Sequence, residues 1–123
     1  MPSPVQTLGL LFIGFYCQVS AVTFHQSPPS IVKENTVVQI DCSHNDNSLP
    51  FMFWYQQRQD RLSLTLIGYG YANSPQNYEN QFKEQFKLSR KSSTTGSLVI
   101  NTANLSHTAV YFCAASTHSD VVQ

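Results

Sequence analysis

Ala109-Val-Tyr-Phe-Cys-Ala114 is the stretch whose reading decides how this chain folds. As a strand it presents Ala109, Tyr111 and Cys113 on one face and Val110 and Phe112 on the other. Upstream, a second alternating run, Val37-Val-Gln-Ile-Asp-Cys42, sets Val38, Ile40 and Cys42 on one face. Between the two lies Met52-Phe-Trp-Tyr-Gln-Gln57, with Trp54 opposite Phe53 and Tyr55, followed by Leu62-Ser-Leu-Thr-Leu-Ile-Gly68, Phe86-Lys-Leu-Ser-Arg90 and Ser97-Leu-Val-Ile100. Turn-forming residues at 43–50, 70–76, 92–96 and 103–108 separate these runs. Helical periodicity is weak throughout. Six short strands at this spacing predict an all-β fold, an antiparallel sandwich of two sheets.

The three cysteines are Cys17, Cys42 and Cys113. Residues 1–21 hold no Lys, Arg, Asp, Glu or His. Inside them Leu8-Gly-Leu-Leu-Phe-Ile-Gly-Phe15 is about half the ~20 apolar residues that a membrane-spanning helix needs. Val19-Ser20-Ala21 offers small residues where a signal peptidase cuts. We therefore read a signal peptide over 1–21, one domain over 22–116 and a non-domain tail over 117–123. Removing 1–21 removes Cys17 and leaves an even pair, which becomes a Cys42–Cys113 disulfide in an oxidising compartment. The bond closes a loop of about 70 residues, for which chain entropy gives stabilisation of about 4 kcal/mol. No further apolar stretch approaches spanning length, so no membrane contact by this chain itself is expected.

Seven Lys and Arg balance seven Asp and Glu. That neutrality argues against nucleic acid, which needs a basic excess. Lys83, Lys87, Arg90 and Lys91 form a mild positive cluster, read as a solvated strand face. No enzyme pattern survives. The histidines, His25, His44, His107 and His118, form no His-Glu-x-x-His, and the adjacent side chains of His118-Ser119-Asp120 cannot hold a triad's geometry. Gly68-Tyr-Gly70 lacks the third glycine and the helix of a phosphate cradle. No catalytic residue, metal or cofactor is expected.

Cys42, Trp54 twelve residues later and Tyr111-Phe112-Cys113 together resemble the immunoglobulin variable pattern. Trp54-Tyr-Gln-Gln57, Leu66-Ile67, Tyr78-Glu79 through Phe82, Phe86-Lys-Leu-Ser-Arg90, Leu105 and Thr108-Ala-Val-Tyr-Phe-Cys-Ala-Ala-Ser116 are most similar to T-cell receptor beta variable segments. The resemblance implies a V-type sandwich with Trp54, Tyr111 and Leu105 in the core. Trp54 would pack on the disulfide, and Tyr111 would make the tyrosine-corner hydrogen bond. It implies antigen loops at Asn45, Asp46, Asn47 and Ser48 and at Tyr71, Ala72 and Asn73, with Tyr69, Tyr71 and Tyr78 supplying rigid aromatic area. Asn45-Asp-Asn47 reads equally well as a set of turn formers. The resemblance further implies a face of Tyr55, Gln57 and Phe112 packed on the T-cell receptor alpha chain variable domain, and recognition of a peptide–major histocompatibility complex. Other V-set domains are the alternative: an immunoglobulin light chain, an alpha variable segment, or an innate receptor or adhesion ectodomain. A light chain would favour Tyr where Gly68 stands.

Three departures matter. His107 stands where the family has an Asp paired with an Arg matching Arg90, so that ion pair is expected to be lost. Arg58-Gln-Asp-Arg61 replaces a Pro-Gly turn. Nothing after Cys113 resembles Phe-Gly-x-Gly, so the last strand, G, is expected to be missing. His118-Ser119-Asp120 instead reads as the in-frame translation of a CACAGTG recombination signal, which implies an unrearranged germline segment. Asn104-Leu-Ser106 is a glycosylation sequon before the final strand.

Overall fold

The computed structural model describes residues 22–118. Eight strands form: β1 (Phe24–Gln26), β2 (Val38–His44), β3 (Phe51–Arg58), β4 (Thr65–Tyr71), β5 (Asn77–Tyr78), β6 (Phe86–Ser92), β7 (Thr95–Ile100) and β8 (Ala109–Ser116). One sheet runs β1-β2-β7-β6 and the other β5-β4-β3-β8, with every pairing antiparallel. Six of these strands are the alternating runs. β1 and β5, three and two residues long, are too short to show a period. β4 starts at Thr65 rather than Leu62, because the chain first turns: the Arg61 amide bonds the Arg58 carbonyl, and Gln57 Nε2 donates to the Leu62 carbonyl. Leu62 is left in solvent.

The inward faces meet in a core of Cys42, Met52, Trp54, Ile67, Phe86, Leu88, Leu98 and Ile100. Trp54 is 1% exposed and stands opposite Cys113 in the β3–β8 ladder. The Cys42–Cys113 bond joins the two sheets beside it. Burying a side chain of this size contributes about 3 kcal/mol.

Tyr111 is also buried, and its hydroxyl donates to the His107 carbonyl at 2.6 Å while accepting from Gln56 Nε2 at 3.2 Å. The corner hydrogen bond is therefore present. Leu105, by contrast, is not a core residue: it is 78% exposed. The connection from β7 to β8 is a three-residue 3-10 turn, Leu105–His107, and the member it turns inward is His107. The Asn104 side chain accepts from the Ser106 amide, and His107 Nδ1 accepts from the Asn104 amide, so the turn is capped in both directions. His107 Nε2 lies 3.1 Å from Gln85 Oε1. Arg90 is not its partner. The residue facing His107 is Gln85, and a neutral hydrogen bond fills the place expected of an ion pair.

Among the described residues β8 is the last strand of its sheet, so no strand G forms there. A side chain covers part of the open edge: Gln26 donates through Nε2 to the Tyr111 carbonyl at 2.6 Å and its Oε1 accepts from the Cys113 amide at 3.4 Å. A primary amide offers the same donor and acceptor as a peptide unit, so one Gln stands in for one residue of a neighbouring strand. Behind it, after the Ser27 amide has bonded the Asp41 carbonyl, 28–34 runs without ladder pairing, begun by Pro28 and Pro29, which have no N–H to give. An apolar cleft of about 520 Å³ separates this segment from the sandwich.

Candidate functional site

The two turn-rich stretches come together because the strands that carry them are neighbours. Phe51, which opens β3, pairs with Tyr71, which closes β4, and Phe51 also pairs with Ser116 at the end of β8. Loop 1 (45–50), loop 2 (72–76) and the chain leaving β8 therefore lie at one end of the domain. The Ala72 amide bonds the Pro50 carbonyl at 2.9 Å and ties loop 2 to loop 1.

Within loop 1 the four expected residues do different things. Asn45 Oδ1 accepts from the Thr23 amide. Asp46 Oδ1 accepts from the amide and hydroxyl of Ser48, a turn closed by a side chain. Those two bonds hold the Asp46 carboxyl below its usual range. Asn47 and Ser48 are exposed, and Asn47 Oδ1 is 3.5 Å from Ser93 Oγ. At loop 2, Tyr71, the last residue of β4, and Asn73 are exposed, and Ala72 sits at φ 45°, a left-handed conformation that costs a residue with a Cβ about 1–2 kcal/mol. Tyr78 is not a free contact residue: its hydroxyl accepts from the Leu88 amide at 2.9 Å and its ring packs on the core.

Cross-strand partners share a face. On the outward side of the second sheet, Tyr55 stands directly opposite Phe112 and Gln57 opposite Val110. The three residues expected to form an interface are thus on one surface, where Phe112 is 39% and Val110 55% exposed. Gln57 is partly committed, since its amide holds the Leu62 carbonyl at 2.7 Å. The surface continues toward the loops as an aromatic ladder: Phe53 stacks on Tyr69 with centroids 5.3 Å apart, and Phe51 meets Tyr71 edge-on at 5.2 Å. The alternation that sends Trp54 inward puts Phe51 and Phe53 on this outward side, where Phe51 is half-buried and Phe53 is buried against its neighbours.

This topology, with its inter-sheet disulfide beside a buried Trp and its tyrosine corner, is matched by the sequence model described as "Immunoglobulin V-set domain" over residues 25–123. The chain belongs to the immunoglobulin V-set family. It is 39% identical over 99 residues to mouse (Mus musculus) T-cell receptor beta chain V region C5, covering 79% of this chain and 76% of that one. It is 30% identical to human (Homo sapiens) T cell receptor beta variable 29-1, over 88% of this chain and 96% of the relative. Human T cell receptor alpha variable 14/delta variable 4 is also similar, at 31% identity over 71% and 73% of the two chains. A solved structure addressing T cell specificity and activation by the bacterial superantigen toxic shock syndrome toxin-1 contains a chain with the same fold. Its TM-score is 0.73 at 29% identity, over 83% of this chain and 87% of that one.

Other features of this V-set domain frame the site. The positive cluster is not uniform: Lys83, Lys87 and Lys91 are exposed, but Arg90 follows Phe86 and Leu88 on the core-facing side of β6 and is half-buried. His44, the last residue of β2, is buried beneath loop 1, with its Nδ1 accepting from the Asp46 amide and its ring against Phe24. Burial first, and the Arg90 charge second, hold His44 neutral below its ordinary pKa. Asn104 lies at the opposite end of the sandwich, exposed, in the turn that leads into Ala109 opposite Arg58. No helix among the described residues is long and apolar enough to cross a membrane.

Proposed function

We propose that this chain is the variable domain of a T-cell receptor of beta type, paired with an alpha chain variable domain and contributing to recognition of peptide held by a major histocompatibility molecule. The carrying observation is the outward surface of β3 and β8. Tyr55 and Phe112 stand side by side there, with apolar area left in water, and the aromatic ladder leads from them to the end where loops 1 and 2 meet. An exposed aromatic patch rimmed by polar groups is the composition of an interface core. In this reading the domain comprises 22–116 after removal of 1–21, the pair lies at the cell surface, and Asn45 to Ser48 and Tyr71 to Asn73 face the ligand. The beta assignment is favoured over an alpha segment by the identity to the mouse beta chain.

Co-secretion from animal cells with a panel of alpha variable domains tests the pairing. The expected result is recovery of a one-to-one heterodimer that Phe112→Asp reduces at least tenfold and Lys87→Asp, on the other sheet, leaves intact. Absence of pairing with every alpha domain, or full pairing by Phe112→Asp, overturns it. Asn104 is proposed to carry a glycan, since it lies at the end away from the loops; glycosidase treatment should then lower the mass of secreted protein. His118-Ser119-Asp120, of which Ser119 and Asp120 lie outside the described residues, is proposed to be the translated recombination signal. Codons other than CAC-AGT-GAT or CAC-AGT-GAC would end that idea.

A further inference from the structure

Arg90 is the one member of the basic cluster that points inward, and its surroundings are built for it. β6 alternates Phe86, Leu88 and Arg90 on its core-facing side until the register shifts between Arg90 and Ser92. Gly96 stands opposite Arg90 in that ladder. A Cβ at Gly96 would lie 2.7 Å from Arg90 Cδ and 2.9 Å from Met52 Sδ, so the absence of a side chain there opens the path the arginine follows. At its end the guanidinium meets carbonyls from three segments. Nη1 donates to the Gly70 carbonyl at 2.9 Å, and Nη2 donates to the carbonyls of Pro50 at 3.0 Å, Ser93 at 3.0 Å and Ser92 at 3.2 Å. Among the described residues it has no carboxylate partner.

These carbonyls are not arbitrary. Pro50 closes loop 1, and its carbonyl also receives the Ala72 amide. Gly70 stands at the end of β4, just before loop 2. Ser92 and Ser93 belong to the β6–β7 turn, which touches Asn47 through Ser93 Oγ. A planar fork with five donors can serve three backbone segments at once, whereas an ammonium on a flexible stem cannot fix their relative positions. Charge-assisted bonds are also about twice as strong as neutral ones.

We propose that Arg90 is a positioning residue for the recognition surface: its guanidinium sets loop 1, loop 2 and the β6–β7 turn in fixed relation to one another. The functional part of this rests on the antigen-receptor reading, but the positioning itself is a property of the unpaired domain and is measured there.

The test is hydrogen exchange followed by mass spectrometry on the secreted, disulfide-bonded chain, comparing wild type with Arg90→Met, Arg90→Lys and Gly96→Ala. In Arg90→Met, exchange in 45–50, 70–76 and 92–95 should rise together by at least tenfold, while 104–111 stays as in wild type. Arg90→Lys should fail to restore protection. Gly96→Ala, which keeps the arginine but crowds its path, should loosen the same three segments and serves if Arg90→Met does not fold. Loosening of 92–95 alone, equal loosening of 104–111, or wild-type protection in Arg90→Lys would each overturn the proposal. Because no partner enters the experiment, its failure would leave the antigen-receptor reading untouched, and failed pairing with alpha domains would leave this result standing.

Discussion

The two ends of the sandwich are closed by different chemistry. At the end away from the loops, mostly neutral groups close one turn: Tyr111 bonds the His107 carbonyl and Gln56, His107 meets Gln85, Asn104 caps the turn, and on its exposed side Arg58 Nη1 donates to the Ser106 carbonyl. At the loop end one cation reaches across three segments, and two buried nitrogens, His44 Nε2 and Arg90 Nε, have no hydrogen-bond partner. An unsatisfied buried polar group costs about 1–3 kcal/mol. The far end thus gathers several side chains onto one turn and holds none of the partnerless buried nitrogens, whereas the loop end hangs three segments on one side chain. Recognition elements are drawn from the less stable parts of a fold, and two of the partnerless buried nitrogens lie at the end that carries the proposed antigen loops.

The largest effect should ignore the distinction. Trp54 lies between the ends on the disulfide, so Trp54→Ala should cost about 3–5 kcal/mol in chemical denaturation and loosen both ends equally. Trp54→Phe should cost much less, because the indole Nε1 is buried without a partner and its loss removes no bond. A loss confined to one end would show that Trp54 is not the common joint.

Tyr111→Phe should separate the ends. It removes the hydroxyl shared by Gln56 and the His107 carbonyl, at a cost of about 1–3 kcal/mol. Hydrogen exchange should rise at 104–111 and remain unchanged at 45–50.

Acid should act on both ends through one histidine each. Burial holds His44 and His107 neutral, with the Arg90 charge adding to it at His44 and the Arg58 charge at His107. The unfolded chain takes up these protons near pH 6.5 and the folded chain resists them. Stability is therefore full above about pH 6.5 and falls as pH drops below it, until the depressed folded values are passed. Replacing both residues by Gln should flatten denaturation midpoints measured between about pH 7 and pH 5. An unchanged slope would mean that neither ring is held neutral.

The smallest effect belongs to the loop end alone. Ala72 carries a positive φ, so Ala72→Gly should raise stability by less than about 1 kcal/mol, the relief of the left-handed backbone being partly offset by unfolded-state entropy. A fall in melting temperature would show that the Ala72 methyl is a needed contact.

The far end was the more legible of the two. Tyr111 two residues before Cys113 foretold the corner bond, and Cys42, Trp54 and Cys113 foretold the joint between the sheets. Alternation gave the six long strands, since a half-buried strand writes its two faces into the sequence. It could not give β1 or β5, which hold fewer residues than two periods. Leu105 misled because an apolar residue in a 3-10 turn has no period to show which way it points, and the inward position fell to His107. Arg90 misled in the opposite direction. Its place in Phe86-Lys-Leu-Ser-Arg90 puts it on the face of Phe86 and Leu88, yet charge argued for solvent, and the carbonyls that offset that charge come from segments about 3, 20 and 40 residues away.

The most direct test of the account is side-chain footprinting of the domain alone and co-secreted with an alpha variable domain. Hydroxyl-radical labelling should fall at Tyr55 and Phe112 in the pair, stay unchanged at Lys87 on the other sheet, and remain high at Tyr71 beside loop 2. Protection of Tyr71 together with continued labelling of Tyr55 and Phe112 would mean that the loops, and not the β3–β8 face, make the pair, and would contradict the account.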